Sequence, residues 1–256
     1  MDRMDDHTVT GRVVAVLDAV AAGNGAVTLA ELTRSTGIPK PTVRRITADL
    51  VARHLLERGD NGFRLGCRLL ELGTRAAAHH GLRHIATPYV QDLFARSGEI
   101  VWVMALARNS VAIIDHVFGA NRAQDMRRGS WSMDVHSPAF LTTAAGRILL
   151  ADRPDLAARL RGRRLPPLTR RTVTSWPRIA ADIAAVRDTG TAVEHEQCSL
   201  GHSCVAAGLR GRDGSLVGVI GITGRTATLA APRLTRPLAA AAADLSRELA
   251  TSAGCS

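Results

Sequence analysis

The chain is poor in aromatic residues, in lysine and in long apolar runs. Its 256 residues include four Phe, three Trp and one Tyr, and Lys40 is the single lysine. No run of about eighteen apolar residues occurs, which excludes a typical membrane-spanning helix. The polar and acidic segment Met1–Thr10 lacks the apolar core of a secretory signal. We therefore expect a cytoplasmic protein without a membrane partner.

Signatures of disulfide-stapled proteins and of enzymes are missing as well. The spacing of Cys67, Cys198, Cys204 and Cys255 matches no disulfide framework, so reduced thiols are expected. No glycine-rich phosphate loop, zinc-protease helix or nucleophile elbow occurs. We expect neither an enzyme nor a bound cofactor. An α+β enzyme with an accessory DNA-binding domain is an alternative, which turnover of a bound ligand would identify.

Length and charge bound the class of protein. The chain is long enough for two domains, and 46% of it is apolar, so each domain can bury a core. A formal net charge of +10 favours a polyanionic partner. However, residues 1–75 hold eleven basic and nine acidic residues, whereas residues 76–175 hold fourteen and seven. The total charge therefore does not locate a nucleic-acid site.

The first part of the chain has the pattern of a helix-turn-helix. Apolar residues recur at helical spacing over residues 10–22, which predicts an amphipathic helix. Thr28, with Glu31 three residues later, predicts a capping box at the start of a second helix. Gly37 is expected to end that helix.

A third helix and a hairpin complete the pattern. Pro41 suits the first turn of a helix that extends to about residue 53, because its missing N–H would be unpaired there anyway. Two short strands, 55–58 and 63–65, flank Gly59-Asp60-Asn61-Gly62, and Asn-Gly is a strong hairpin signal. Three helices followed by a hairpin predict a winged helix-turn-helix, which we assign to residues 1–67.

The basic start of the third helix predicts contact with duplex DNA. A recognition helix enters the major groove with its first residues facing the base edges, and arginine can bind guanine bidentately. Serine, threonine and lysine suit phosphate contacts, as do arginines on the hairpin. The predicted DNA contacts are Ser35, Lys40, Pro41, Thr42, Arg44, Arg45, Arg58 and Arg64.

The rest of the chain predicts a second, α+β domain. Residues 68–81 are expected to form a linker helix, and residues 82–256 the domain itself. Strands are predicted at 100–107, 111–118, 192–194, 204–209 and 216–223, with helices between them. This irregular alternation, with hairpins, predicts an antiparallel sheet flanked by helices.

Several segments together are similar to the IclR family of bacterial regulators. The resemblance rests on the order and spacing of Leu29–Gly73, Thr143–Asp152, Leu168–Trp176, Val186–Gly211 and Gly214–Gly224. It implies a GAF-like effector-binding domain behind the winged helix, assembly into homodimers or homotetramers, and a double-stranded DNA operator. We expect a repressor whose operator binding responds to a small organic or aromatic acid.

The resemblance also implies an effector pocket, through the positions that match the family's motifs. The small residues of the A-G-[KR] motif would start a helix whose backbone N–H groups can receive a carboxylate. The implied effector contacts are Ala144, Ala145, Glu194, Cys204, Gly221 and Thr223. Glu194 stands where the family often has Asp, and Gly221 where it often has Ser. Loss of that hydroxyl leaves room for a bulkier ligand.

Two further clusters have alternative interpretations. His195, Cys198, His202 and Cys204 are of types that suit zinc, although their spacing is not that of a standard finger. A metal-responsive regulator is therefore the alternative function, and loss of stoichiometric zinc in Cys198→Ser would support it. A dense arginine run is either an auxiliary DNA contact or a solvated loop. That run comprises Arg159, Arg161, Arg163, Arg164, Arg170 and Arg171.

Overall fold

The computed structural model describes residues 8–23, 25–79, 81–107, 110–128, 135 and 137–252. The chain divides into two units, Met1–Ala76 and Ala77–Ser256. Helix α4, defined below, runs across this division and covers most of the predicted linker. The domain limits at 67 and 81 stay predictions.

Three helices and a hairpin form the first unit, as the sequence predicts. Helices α1 (Val9–Ala21), α2 (Leu29–Thr36) and α3 (Lys40–Ala52) each turn an apolar face toward one core, and α4 (Cys67–His79) follows the hairpin. The buried residues of this core are Val16, Val20, Val27, Leu32, Ile38, Val43, Ile46, Leu50, Leu56 and Phe63.

Local hydrogen bonds fix the start of α2, and a glycine ends the helix. The Glu31 N–H donates to the Thr28 hydroxyl (3.2 Å), and the Glu31 carboxylate accepts from the Thr28 N–H (2.8 Å). The predicted capping box is thereby confirmed. Gly37 ends α2 in the left-handed conformation (φ +69°), which glycine adopts without steric cost. Pro41 lies in the first turn of α3, which begins one residue earlier than predicted.

The wing is a two-stranded hairpin with a third, short partner. Strands β1 (Leu56–Gly59) and β2 (Gly62–Leu65) pair antiparallel, so Asp60 and Asn61 make the turn. Val27 and Phe63 exchange two backbone hydrogen bonds of 2.8 Å, which tie the segment before α2 to the wing. Gly62 has φ +131°, and a Cβ there would lie 2.5 Å from the Val27 carbonyl oxygen. Only glycine fits this approach.

A five-stranded antiparallel sheet forms the centre of the second unit. Its order is β4-β3-β7-β6-β5. The predicted α+β class with an antiparallel sheet is confirmed. The strands are β3 (Ile100–Ala107), β4 (Ser110–Val117), β5 (Thr191–His195), β6 (His202–Arg210) and β7 (Leu216–Arg225).

Helices cover both faces of this sheet. Alternate residues of β3 show this, since Trp102 and Met104 enter one core while Val101 and Val103 enter the other. The core on the Val101 face is closed by α5 (Leu82–Ser97) and α11 (Ala231–Thr251). The core on the Trp102 face is closed by α7 (Pro138–Leu141), α8 (Ala144–Asp152), α9 (Pro154–Leu160) and α10 (Trp176–Thr189).

A short 3₁₀ turn (Ala120–Arg122) and α6 (Ala123–Arg128) follow β4. Arg122 is buried there and forms an ion pair with Glu99 at 2.5 Å. Within the described ranges, every helix is too short or too polar to cross a lipid bilayer.

Candidate DNA-binding surface and effector site

Helix α3 displays cations on the side opposite its core. Val43 and Leu50 are buried, whereas Lys40, Arg44 and Arg45 are exposed. The separation follows from the 3.6-residue period, which places positions 43, 46, 47 and 50 on one stripe. The free face therefore carries three positive charges within the first two turns, where a recognition helix meets base edges.

Arg44 and Arg45 lie in different surroundings. Arg44 lines a cleft between α3 and the wing, together with Thr47, Arg58 and Asn61. Arg45 is exposed and lies outside the lining of this cleft. Two arginines from separate elements thus converge on one concave surface, an arrangement that suits a phosphate backbone.

The other predicted DNA contacts lie at exposed or half-exposed positions of the same unit. Pro41 and Thr42 belong to the first turn of α3, and Ser35 lies near the end of α2. Arg64 is exposed on β2, directly across the ladder from Glu57. That carboxylate reduces the positive charge around Arg64, whereas Arg58 lines the cleft with Arg44 and with Asp60.

Three predicted effector contacts lie side by side in the sheet. Glu194 pairs with Cys204 across β5 and β6, and Cys204 pairs with Thr223 across β6 and β7. Directly paired residues project to the same face, so their side chains form a row on the side covered by α8. Ala144 and Ala145, the first residues of α8, are buried in the core on this side.

Trp102 occupies the space beside the fourth predicted sheet position. Gly221 pairs with Trp102, and a Cβ on Gly221 would lie 2.2 Å from the indole ring. The indole N–H donates to the Thr223 hydroxyl at 2.9 Å. The expectation that Gly221 leaves room for a bulkier ligand is therefore wrong, because Trp102 fills the space that a serine side chain would take.

Glu194 is a buried carboxyl with a strongly raised pKa. One of its oxygens accepts the backbone N–H groups of Gln197 and Cys198, the second at 3.1 Å. Burial disfavours the charged form and outweighs these bonds, so the pKa rises to about 7. Near neutral pH this group can therefore gain or lose a proton when a charged ligand approaches.

The N-terminus of α8 is capped from its own chain. The Thr143 hydroxyl accepts the Gly146 N–H at 3.0 Å and donates to the Phe140 carbonyl at 2.6 Å. A Cβ on Gly146 would lie 2.2 Å from that same carbonyl oxygen, so glycine lets α7 and α8 approach closely. The first N–H groups of an α-helix have no partner within the helix, which leaves those of Ala144 and Ala145 to other acceptors.

Arg147 is a buried cation that sequence reasoning overlooked. Its side chain is 2% exposed, donates to the Leu141 carbonyl at 2.8 Å, and lies 3.3 Å from Asp182. Burial lowers the pKa of its guanidinium, and the positive charge in turn lowers the pKa of Glu194. The A-G-[KR] motif holds the signal, since its last position is Arg147 itself.

The proposed four-residue metal site does not assemble. Along β5, Glu194 points inward and His195 outward, and His195 Nδ1 lies 3.2 Å from the Ser203 hydroxyl. Cys204, on the inward face, is buried, and burial raises the pKa of its thiol. In the described ranges no three His, Cys, Asp or Glu side chains could together hold a metal ion. The metal-responsive alternative is therefore wrong.

Family models match both units of the chain. The model for the IclR helix-turn-helix domain matches residues 9–60. The model for the C-terminal domain of the bacterial transcriptional regulator IclR matches residues 74–248. Among curated relatives, the glycerol operon regulatory protein of Streptomyces coelicolor is 29% identical over 95% of both chains. The Escherichia coli DNA-binding transcriptional repressor YiaJ is 26% identical over 86% of this chain and 80% of its own.

Solved structures share the fold over nearly the whole length. An IclR homologue from Microbacterium hydrocarbonoxydans, complexed with 4-hydroxybenzoate, superposes with a TM-score of 0.79 at 23% identity. That match covers 96% of this chain and 100% of the homologue. Thermotoga maritima IclR gives a TM-score of 0.67 at 22% identity, over 94% and 98% of the two chains. Since the C-terminal model alone spans more than half of the sequence, the chain belongs to the IclR family of DNA-binding transcriptional regulators.

Proposed function

We propose that this regulator is a repressor that binds an operator through α3 and the wing and releases it in response to a small organic acid. It works in the cytoplasm, where bacterial DNA lies, as a homodimer or homotetramer. The observation that carries the DNA-binding part is the free face of α3, with Lys40, Arg44 and Arg45 exposed and Arg58 of the wing lining the same cleft as Arg44.

Replacement of both recognition arginines tests the DNA-binding part. We expect Arg44→Ala/Arg45→Ala to abolish operator-specific binding in footprinting while the thermal unfolding temperature stays close to that of the wild type, because both side chains are exposed. Arg12→Ala/Arg53→Ala removes the same charge from α1 and from just beyond α3, and should keep the footprint. An unchanged footprint in the first variant would remove α3 from recognition.

The proposal for the effector rests on the charges that face the site. The first N–H groups of α8 have no partner within the helix and can favour a carboxylate, and the buried Arg147 of the same helix adds positive charge. The homologue bound to 4-hydroxybenzoate has the same fold, which supports an aromatic acid as one candidate. A carboxylate beside Glu194 favours the protonated form of this group, whose pKa of about 7 makes protonation accessible.

Thermal-shift titration with benzoate and 4-hydroxybenzoate tests the effector part. We expect the wild type to be stabilised, more strongly below pH 7 than above it, because Glu194 then carries no opposing charge. Glu194→Ala should lose this pH dependence, whereas Glu71→Ala, on the exposed face of α4, should keep it. Equal shifts in wild type and Glu194→Ala at every pH would exclude Glu194 from the effector site.

A further inference from the structure

The arginine-rich segment from the end of α9 to the first turn of α10 is an unusual charged surface. Residues 159–178 contain seven arginines and no aspartate or glutamate. We call this segment the arginine loop. Every one of the seven side chains lies at an exposed position: Arg159, Arg161, Arg163, Arg164, Arg170, Arg171 and Arg178. The arginine loop is therefore a local concentration of positive charge, which the net charge of the whole chain does not reveal.

Hydrogen bonds anchor the backbone of the arginine loop to the rest of the second unit. Leu165 is buried, and its N–H donates to the Thr174 carbonyl at 3.2 Å. The Thr169 hydroxyl donates to the Glu196 carbonyl, and the Thr172 hydroxyl to the Gln197 carbonyl, each at 2.7 Å. The arginines thus extend from an anchored backbone, so a partner need not order the loop before it binds.

Several helical arginines elsewhere on the surface are paired with carboxylates. Arg53, Arg68, Arg75, Arg96 and Arg247 each form an ion pair with an acid three or four residues away. Among the described residues, the arginine loop forms one ion pair, between Arg171 and Glu196 at 2.6 Å. The other six guanidinium groups have no carboxylate within reach in that part of the chain, and are available to an external anion.

The composition of the loop identifies the kind of anion. The core of a protein interface is enriched in aromatic residues and depleted of charge, and single-stranded nucleic acids bind through base stacking on aromatic side chains as well as through a cationic groove. Trp176 is the one aromatic residue in the loop, and it packs against the protein's own core. Guanidinium groups alone suit phosphates, which they bind bidentately without reading sequence. Duplex DNA supplies phosphates in a continuous row.

We propose that the arginine loop binds the phosphate backbone of duplex DNA outside the operator half-sites, as a second and sequence-independent contact. The inference rests on the proposed function, because that function brings the protein to long DNA. It adds a surface on the second unit to the contacts that α3 and the wing make. The loop would lengthen the bound segment and strengthen binding without changing the preferred sequence.

The salt dependence of binding tests the loop directly. Affinities of wild type and Arg161→Gln/Arg163→Gln/Arg164→Gln are measured by fluorescence anisotropy on the footprinted operator with long random flanks, and on the operator trimmed to its half-sites. Each arginine that neutralises a phosphate contributes about 0.9 to the slope of log K against log salt. On the long duplex we expect the slope to fall by up to about 2.7, and on the trimmed duplex to stay unchanged.

A charge-matched variant separates the loop from general electrostatics. Arg212→Gln/Arg233→Gln/Arg236→Gln removes the same charge from exposed positions outside the loop, and should keep the wild-type slope. Equal slopes for the two triple variants on long DNA would overturn the proposal, and so would equal losses on both duplexes. If the wild type shows no preference for any operator, the proposed function fails instead, while the slopes on random DNA still report on the loop.

Discussion

At the scale of single residues, burial and hydrogen bonding act on the Glu194 carboxyl in opposite directions, and burial prevails. Two backbone N–H groups and the charge of Arg147 favour the carboxylate, yet the pKa rises from 4.5 to about 7. Because of this balance, the Glu194 carboxyl can exchange a proton near neutral pH. A residue in such a state responds to the charge of a ligand more strongly than one that is fully ionised.

The raised pKa of Glu194 should also make the stability of the protein depend on pH. Between pH 4.5 and 7 the folded state holds the Glu194 proton more tightly than the unfolded chain, so stability falls as pH rises through this window. Above pH 7 the ionised Glu194 keeps the free energy of unfolding lower by on the order of 3 kcal/mol. Glu194→Gln should therefore raise the urea midpoint more at about pH 8 than at about pH 5. Glu57→Gln, exposed on β1, serves as the control, and an equal gain at both pH values would contradict the assignment.

The contact between Trp102 and Gly221 gives a second prediction for single residues. Gly221→Ser places a Cβ inside the indole ring, which should cost about 1–3 kcal/mol of unfolding free energy through overpacking. Trp102→Leu removes the ring and should restore much of that loss in the double variant. Urea unfolding of the four proteins forms a double-mutant cycle. Strict additivity of the two single effects would show that the ring does not occupy this space.

At the scale of elements, local patterns in the sequence predict more than long-range contacts do. The capping box of Thr28 and the strands of the sheet follow from side-chain chemistry and periodicity within a few residues. The position of Trp102 over Gly221 depends on how β3 pairs with β7, and the Trp102 and Thr223 that bond there are 121 residues apart. No local pattern encodes that register.

The failed metal site has an equally physical reason. His195 and Cys204 are close along the chain, but the alternation of side chains in β5 and β6 sends them to opposite faces of the sheet. In the wing, the predicted Asn-Gly signal is present, yet Gly62 serves a contact with Val27 rather than the centre of the turn. In both cases the pairing of strands, and not the residue type alone, decides the role of the residue.

Two glycines in helices allow the effect of helix propensity on stability to be distinguished from the effect of packing. Alanine is favoured over glycine in a helix by about 1 kcal/mol, so Gly73→Ala in α4, where a Cβ meets nothing within 4 Å, should raise the unfolding temperature. Gly146→Ala has the same propensity gain but drives its methyl into the Phe140 carbonyl, and should lower the unfolding temperature. Differential scanning calorimetry of both variants tests this. A gain in both would show that α7 and α8 can separate at little cost.

At the scale of the whole molecule, the predicted effector contact Glu194 and the arginine loop share one short segment. Gln197 donates its backbone N–H to Glu194 and accepts the Thr172 hydroxyl of the loop on its own carbonyl. A ligand that changes the charge or position of Glu194 therefore acts on the backbone that anchors the loop. This contiguous set of hydrogen bonds gives the second unit a physical connection between ligand and charged surface.

We expect recognition of an operator to need more than one copy of this chain. A single recognition helix contacts only a few base pairs, which recur too often in a genome to specify a promoter. Two copies related by symmetry read two half-sites, whose spacing must match the helical repeat of DNA. We therefore expect light scattering to give at least a dimer, and footprints to show two half-sites on one side of the duplex.

Insertion of DNA between those half-sites tests this requirement. About five added base pairs turn the second half-site to the opposite side of the duplex and should abolish high-affinity binding, because both α3 helices can no longer enter their grooves. About ten added base pairs return the second half-site to the same side of the duplex and should recover part of the affinity. The remaining loss would come from the strain of spanning the longer distance between the half-sites. Equal affinity for all three operators, measured at one salt concentration, would mean that each chain binds DNA on its own.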